Sequence, residues 1–186
     1  MFRKLLPLAL AGFFMALPAA ADLSSNTATT VSITPGTNAF TAPTSLSFSA
    51  AVTGSSQSVT GTWSGTFQIS DLSGSGTPWS VGVTASPFTG PASVAGLAQP
   101  SIANLNLSAP TWASSSTGFT GADFTASSLT GVTNSSQTVI DASPTGEARP
   151  GNHVFTPNNA GTTIGIPANV QAGTYTTNLV YTAVGL

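Results

Sequence analysis

Apolar residues recur at every second position along most of this chain. In SLSFSAAVT, Leu46, Phe48, Ala50 and Val52 fall on one face. In SVTGTWSGTFQIS, Val59, Trp63, Phe67 and Ile69 share a face, with Gly61 and Gly65 between them. PWSVGVTA aligns Trp79, Val81, Val83 and Ala85; ANLNLSA aligns Ala103, Leu105, Leu107 and Ala109. The last stretch, AGTYTTNLVYTAVGL, aligns Tyr175, Leu179, Tyr181 and Ala183. A period of two with one polar face predicts half-buried antiparallel strands. Turn residues separate them in TPGTNAF, SGSGTP, TGPAS, SPTGEARPGN and TPNNAGT. No stretch beyond residue 22 sustains a helical period. The pattern therefore predicts an all-β fold: a single antiparallel β-sandwich, Ig-like, of roughly seven to ten strands. Segment 110–136 alternates weakly and reads as short strands or as an excursion between sheets. TTVSIT places Val31 and Ile33 on one face and is expected to form the first strand. The alternative for 22–44 is an arm that reaches a neighbour.

The first residues depart from this pattern. MFRK carries Arg3 and Lys4, LLPLALAGFFMALPA is apolar, and Ala19-Ala20-Ala21 precedes Asp22. A basic start, a short apolar run and a small-x-small site predict a secretory signal peptide over 1–21. The run is short for a span of roughly 20 residues, so no membrane span is expected after cleavage. The expected mature product is one secreted domain, 22–186.

Cleavage changes the charge balance. Of three basic residues only Arg149 remains, against Asp22, Asp71, Asp123, Asp141 and Glu147, a net of −4. Nucleic-acid binding needs many cations against phosphate and is excluded on this count. An electrostatic membrane patch is excluded for the same reason. Low charge does not mean disorder here, because the chain is 40% apolar with ten Phe, three Trp and two Tyr. Its polarity resides in hydroxyls: 29 Thr and 26 Ser among 186 residues. There is no cysteine. Thiol catalysis and cysteine metal sites are excluded, and stability must come from burial and sheet hydrogen bonds.

Catalytic chemistry is sparse. His153 is the one histidine, the G-x-S-x-G elbow is absent, and nothing in the spacing selects a triad. The expectation is no enzyme, no cofactor and no metal site. One segment gathers ionisable groups: DASPTGEARPGNH, with Asp141, Glu147, Arg149 and His153. It reads as a solvated loop with a Glu147–Arg149 ion pair, or as a polar recognition loop. Trp63 and Trp79 lie on apolar strand faces and are expected in the core. Trp112, after Pro110, is the candidate exposed aromatic, such as a sugar platform.

The order of motifs resembles the WxL domain of bacterial surface proteins. Trp79-Ser80-Val81 stands where that family has Trp-x-Leu. Ile166-Pro167, Ala172-Gly173-Thr174-Tyr175 and Tyr175-x-x-x-Leu179-x-Tyr181 stand where it has its C-terminal pattern. Val81 replaces leucine, Tyr181 replaces tryptophan, and the closing proline is missing. The resemblance covers roughly 60–186. It implies an exported β-sandwich that associates non-covalently with the cell envelope, through peptidoglycan or a surface layer. The expected partners are an envelope polymer or other surface proteins, with self-assembly open. Two alternatives stay open: a pilus or fibre subunit that assembles by strand donation, and a secreted carbohydrate-binding module.

Overall fold

A computed structural model describes residues 30–142 and 149–186. By its contacts the chain divides between Ile33 and Thr34. Residues 30–33 lie outside any strand, with Val31 77% and Ile33 88% exposed. The expected first strand through TTVSIT is therefore not formed. Alternation prepares a segment for pairing, but a strand needs a neighbour to take its hydrogen bonds.

From Thr34 onward the chain is all-β and sandwich-like. Its strands are β1 (Ala39–Thr41), β2 (Ser45–Ser47), β3 (Gln57–Thr60), β4 (Thr62–Ser64), β5 (Phe67–Asp71) and β6 (Ser80–Ala85). They continue with β7 (Leu105–Ser115), β8 (Thr125–Ala126), β9 (Gln137–Asp141), β10 (Gly151–Ile166) and β11 (Leu179–Val184). Single 3-10 turns at Ile102–Asn104 and Gly121–Asp123 are the helical elements among the described residues. Among these residues no helix is long and apolar enough to cross a membrane.

Every strand pairing is antiparallel. The first sheet is built on β10, which pairs with β3 and β5 and also with β7, while β1 flanks β5. The second runs β11-β6-β9-β8, and β2 pairs with β4 alone. The eleven strands among the described residues exceed the expected number for a physical reason. The alternating stretch 57–71 does not run as one strand: β3 and β5 both pair with β10, while β4 between them turns to β2. The segment 110–136, which alternates weakly, is partly regular after all, because β7 continues to Ser115 beside β10.

The core joins the two sheets. Phe67 and Ile69 of β5, Leu105 and Leu107 of β7, and Phe155 and Ile164 of β10 meet Val81, Val83 and Ala85 of β6 and Val139 and Ile140 of β9. Apart from the adjacent pair Val139 and Ile140, both buried where the register of β9 against β6 shifts, these are inward positions of alternating strands, and each such side chain contributes about 1.5–3 kcal/mol by burial.

β10 contains a phase change. Its buried positions are Gly151, His153, Phe155 and Pro157, then Thr162 and Ile164. Odd positions point inward before the change and even positions after it. One residue of slip reverses every side chain, so a bulge must intervene. The register against β7 shifts between Thr156 and Asn158 and again between Asn158 and Thr163. Thr162 holds the bulge. Its hydroxyl donates to the Asn158 carbonyl at 2.7 Å and accepts from Trp63 Nε1 at 3.1 Å and the Ser108 amide at 3.3 Å. Gly161 is required beside it, because a Cβ there would stand 2.7 Å from Ser108 Oγ. TPNNAGT, expected as a turn between strands, is this bulge within a single strand.

Candidate functional site

The described ends of the charged segment 141–153 are not solvated loop. Asp141 closes β9, and His153 lies on β10. Residues 143–148, with Glu147 and its expected ion pair to Arg149, lie outside the described residues. Arg149 is 3% exposed and His153 1%. His153 is inward because β10 alternates, and it sits among Trp79, Phe119 and Phe124, with ring centroids 5.6, 6.0 and 5.0 Å away.

The Arg149 backbone carbonyl is the centre of this junction. It accepts from Trp79 Nε1 at 3.1 Å, and His153 Nε2 lies 2.9 Å away. A carbonyl has two lone pairs and no proton, so Nε2 carries the imidazole proton and donates. Burial pushes the His153 pKa down, opposed by the Arg149 carbonyl and the charge of Asp71. The Arg149 guanidinium lies 5.3 Å from the Phe119 ring centroid, and Nε donates to the Asp123 carbonyl at 3.3 Å. Asp123 is set by a capping box, its carboxylate accepting from the Thr120 amide at 2.7 Å. Those Thr120 hydrogen bonds hold its pKa below the usual value, with Arg149 adding to the shift. Asp71, inward at the end of β5 and 2% exposed, accepts from Ser73 Oγ at 2.9 Å.

This arrangement pins the sheets together. Trp79 immediately precedes β6 of the second sheet, and its indole reaches the chain entering β10 of the first. Trp79 and Val81 are 1% and 0% exposed. The Trp-x-Val motif is therefore core, as expected for Trp79, and offers no face to a ligand. His153 Nε2 is likewise committed to a carbonyl.

Trp112 is not an exposed platform. It lies on β7 opposite Phe155, half-buried and packed against the core, and its Cβ would lie 3.4 Å from a Cβ at Gly121. Leu105 and Leu107 are inward at odd positions, and the register shift between Ser108 and Thr111 of β7 is what brings the even-numbered Trp112 to the inward side. Leu179, Tyr181 and Ala183 share the inward face of β11 and pack on the core. Tyr181 meets Phe67 edge-on at 5.1 Å and Trp63 at 6.4 Å. Burial pushes its phenol above the ordinary range. Tyr175 does not join that face. It precedes β11, and its hydroxyl donates to the Gln171 carbonyl at 2.8 Å. β11 pairs with β6 along its full length, from Leu179 opposite Ala85 to Val184 opposite Ser80. The terminal strand completes the second sheet of its own chain.

A separate feature escaped the sequence reading. An open groove of about 650 Å³ runs between 46–52 and 170–177. Phe48, Phe88, Ile164, Ile166 and Tyr175 supply its apolar lining. The lining holds no carboxylate, amine or guanidinium. Its volume falls within the roughly 300–1,000 Å³ of ligand sites. The alternation of Leu46, Phe48, Ala50 and Val52 signalled this bank as a strand, yet only Ser45–Ser47 pairs. No cluster of three or more His, Cys, Asp or Glu suited to a metal ion occurs among the described residues.

The chain matches no family model, no curated protein and no solved structure.

Proposed function

We propose that this chain is a non-enzymatic, exported bacterial surface protein, WxL-like, that associates non-covalently with the cell envelope through peptidoglycan or a surface layer. The observation that carries the reading is the placement of charge. The chain has few ionisable groups, and folding removes Asp71, Arg149 and His153 from the surface. Among the described residues Asp123 and Asp141 are the charged side chains left partly exposed, and the rest of the polar exterior is hydroxyl and amide groups, which bind a neutral or weakly charged polymer by many hydrogen bonds. The motif residues Trp79, Val81, Leu179 and Tyr181 then act by building the sandwich rather than by touching the polymer. A carbohydrate-binding module is less well supported, since Trp112 is packed inward.

The test is co-sedimentation of the exported chain with purified envelope across ionic strength. Association that changes little as the Debye length falls from about 30 Å to about 8 Å supports the reading. Failure to pellet, or a steep loss with salt, refutes it.

A further inference from the structure

We propose that the groove between 46–52 and 170–177 receives an extended strand from a second copy of this chain, its residues 30–34. The proposal goes beyond the envelope reading and does not depend on it.

Both banks offer free main chain. Among the described residues, no backbone amide of Ser49–Val52 or Ala172–Tyr175 donates a hydrogen bond. An incoming strand can take up such groups, which is how extended peptides add to sheet edges. Phe48, Phe88, Ile164 and Ile166 give the groove apolar side chains beside its hydroxyl and amide groups. A strand laid there presents every second side chain to the floor, at a repeat of roughly 7 Å for two residues.

The chain carries a segment of that description. Thr30-Val31-Ser32-Ile33-Thr34 alternates, has no charge, and is in no strand. Val31 and Ile33 are its two apolar residues, and both are exposed. An uncharged strand suits a groove whose lining has no charged group, because nothing charged is desolvated on entry.

Reach selects a second copy over the same chain. The Gly36 amide bonds to the Leu72 carbonyl, just beyond the Asp71–Gly151 pair that ends the first sheet. The groove lies at the other end of β10, at Ile164 and Ile166. Along β7 those ends are separated by the run from Ser115 to Leu105, roughly 30 Å at the strand rise. From Gly36 back to Val31 the chain extends at most about 18 Å. A segment entering the next molecule's groove makes a head-to-tail contact, which builds chains or rings rather than closed pairs.

The test uses the mature chain, which has no natural cysteine. An Ile33→Cys preparation is mixed with a Thr174→Cys preparation and oxidised, and the linked peptides are read by mass spectrometry. The expected result is a 33–174 disulfide between copies, with average mass rising with concentration in sedimentation. Adding Val31→Asp, at an exposed position that the fold does not use, should abolish both. A monomer at all concentrations with no 33–174 link overturns the proposal. So does a double variant that links within one chain at high dilution, or a groove occupied by an envelope saccharide with the arm left free.

Discussion

Thr162→Val tests whether the bulge of β10 is held by the hydroxyl described above. Valine preserves the branched shape and fits the same fully buried site. It removes one donor and one acceptor from a point where three groups converge: the Asn158 carbonyl, Trp63 Nε1 and the Ser108 amide. Each lost hydrogen bond costs about 1 kcal/mol net, and a buried group left unpaired costs about 1–3 kcal/mol. Trp63, Ser108 and Asn158 are each only half-buried, so water recovers part of this. The expected loss is about 2–4 kcal/mol, a large share of a total near 5–15 kcal/mol. At roughly 2–4 °C per kcal/mol for a domain of this size, the melting temperature should fall by about 5–15 °C. Urea unfolding followed by tryptophan fluorescence measures it, with Thr162→Ser as the control that restores the hydroxyl. A valine variant within about 0.5 kcal/mol of the parent, at unchanged denaturant slope, would refute the account. The phase change would then be imposed by packing alone.

Arg149→Ala should cost about 2–4 kcal/mol in chemical denaturation, because the side chain is buried over Phe119; a loss within about 0.5 kcal/mol, the value for an exposed loop, would contradict the burial. Acidification should destabilise the fold through His153. Its folded pKa lies below 6.5, so the unfolded chain binds the extra proton first, and stability present above about 6.5 is lost as pH falls through the folded pKa. The urea midpoint should drop from pH 7.5 to 5.5, and His153→Phe should flatten that slope; an unchanged slope means another group is responsible. Deleting 173–186 removes β11 with Leu179 and Tyr181 and strips β6 of a partner, so the truncated chain should show no cooperative melt by circular dichroism.

The strand class was legible because it rests on a local rule. Val81, Val83 and Ala85, or Leu105 and Leu107, alternate with polar neighbours, and a half-buried sheet is the structure that buries them. The terminal strand was legible for the same reason, and so was the core role of Trp79. Parity also held more than was taken from it: Asp71 is two residues beyond Ile69 and points inward with it. The Thr120-x-x-Asp123 cap was readable as well.

Other features depend on what lies beside each segment, and a single chain's pattern does not carry that. Val31 and Ile33 alternate as well as Leu105 and Leu107 do, yet one pair is exposed and the other buried, because only β7 has β10 as a neighbour. Phe48, Ala50 and Val52 alternate beside a groove. Gly, Pro and Asn near 157–161 spell a turn, but the flanking residues both pair with β7, so the strand absorbs them as a bulge. Arg149 carries the charge of a surface residue and lies in the core, where Trp79 and His153 converge on its carbonyl. Local composition determined the class of structure; the pairing of strands distant in sequence decided which residues face water, which face each other, and where the groove opens.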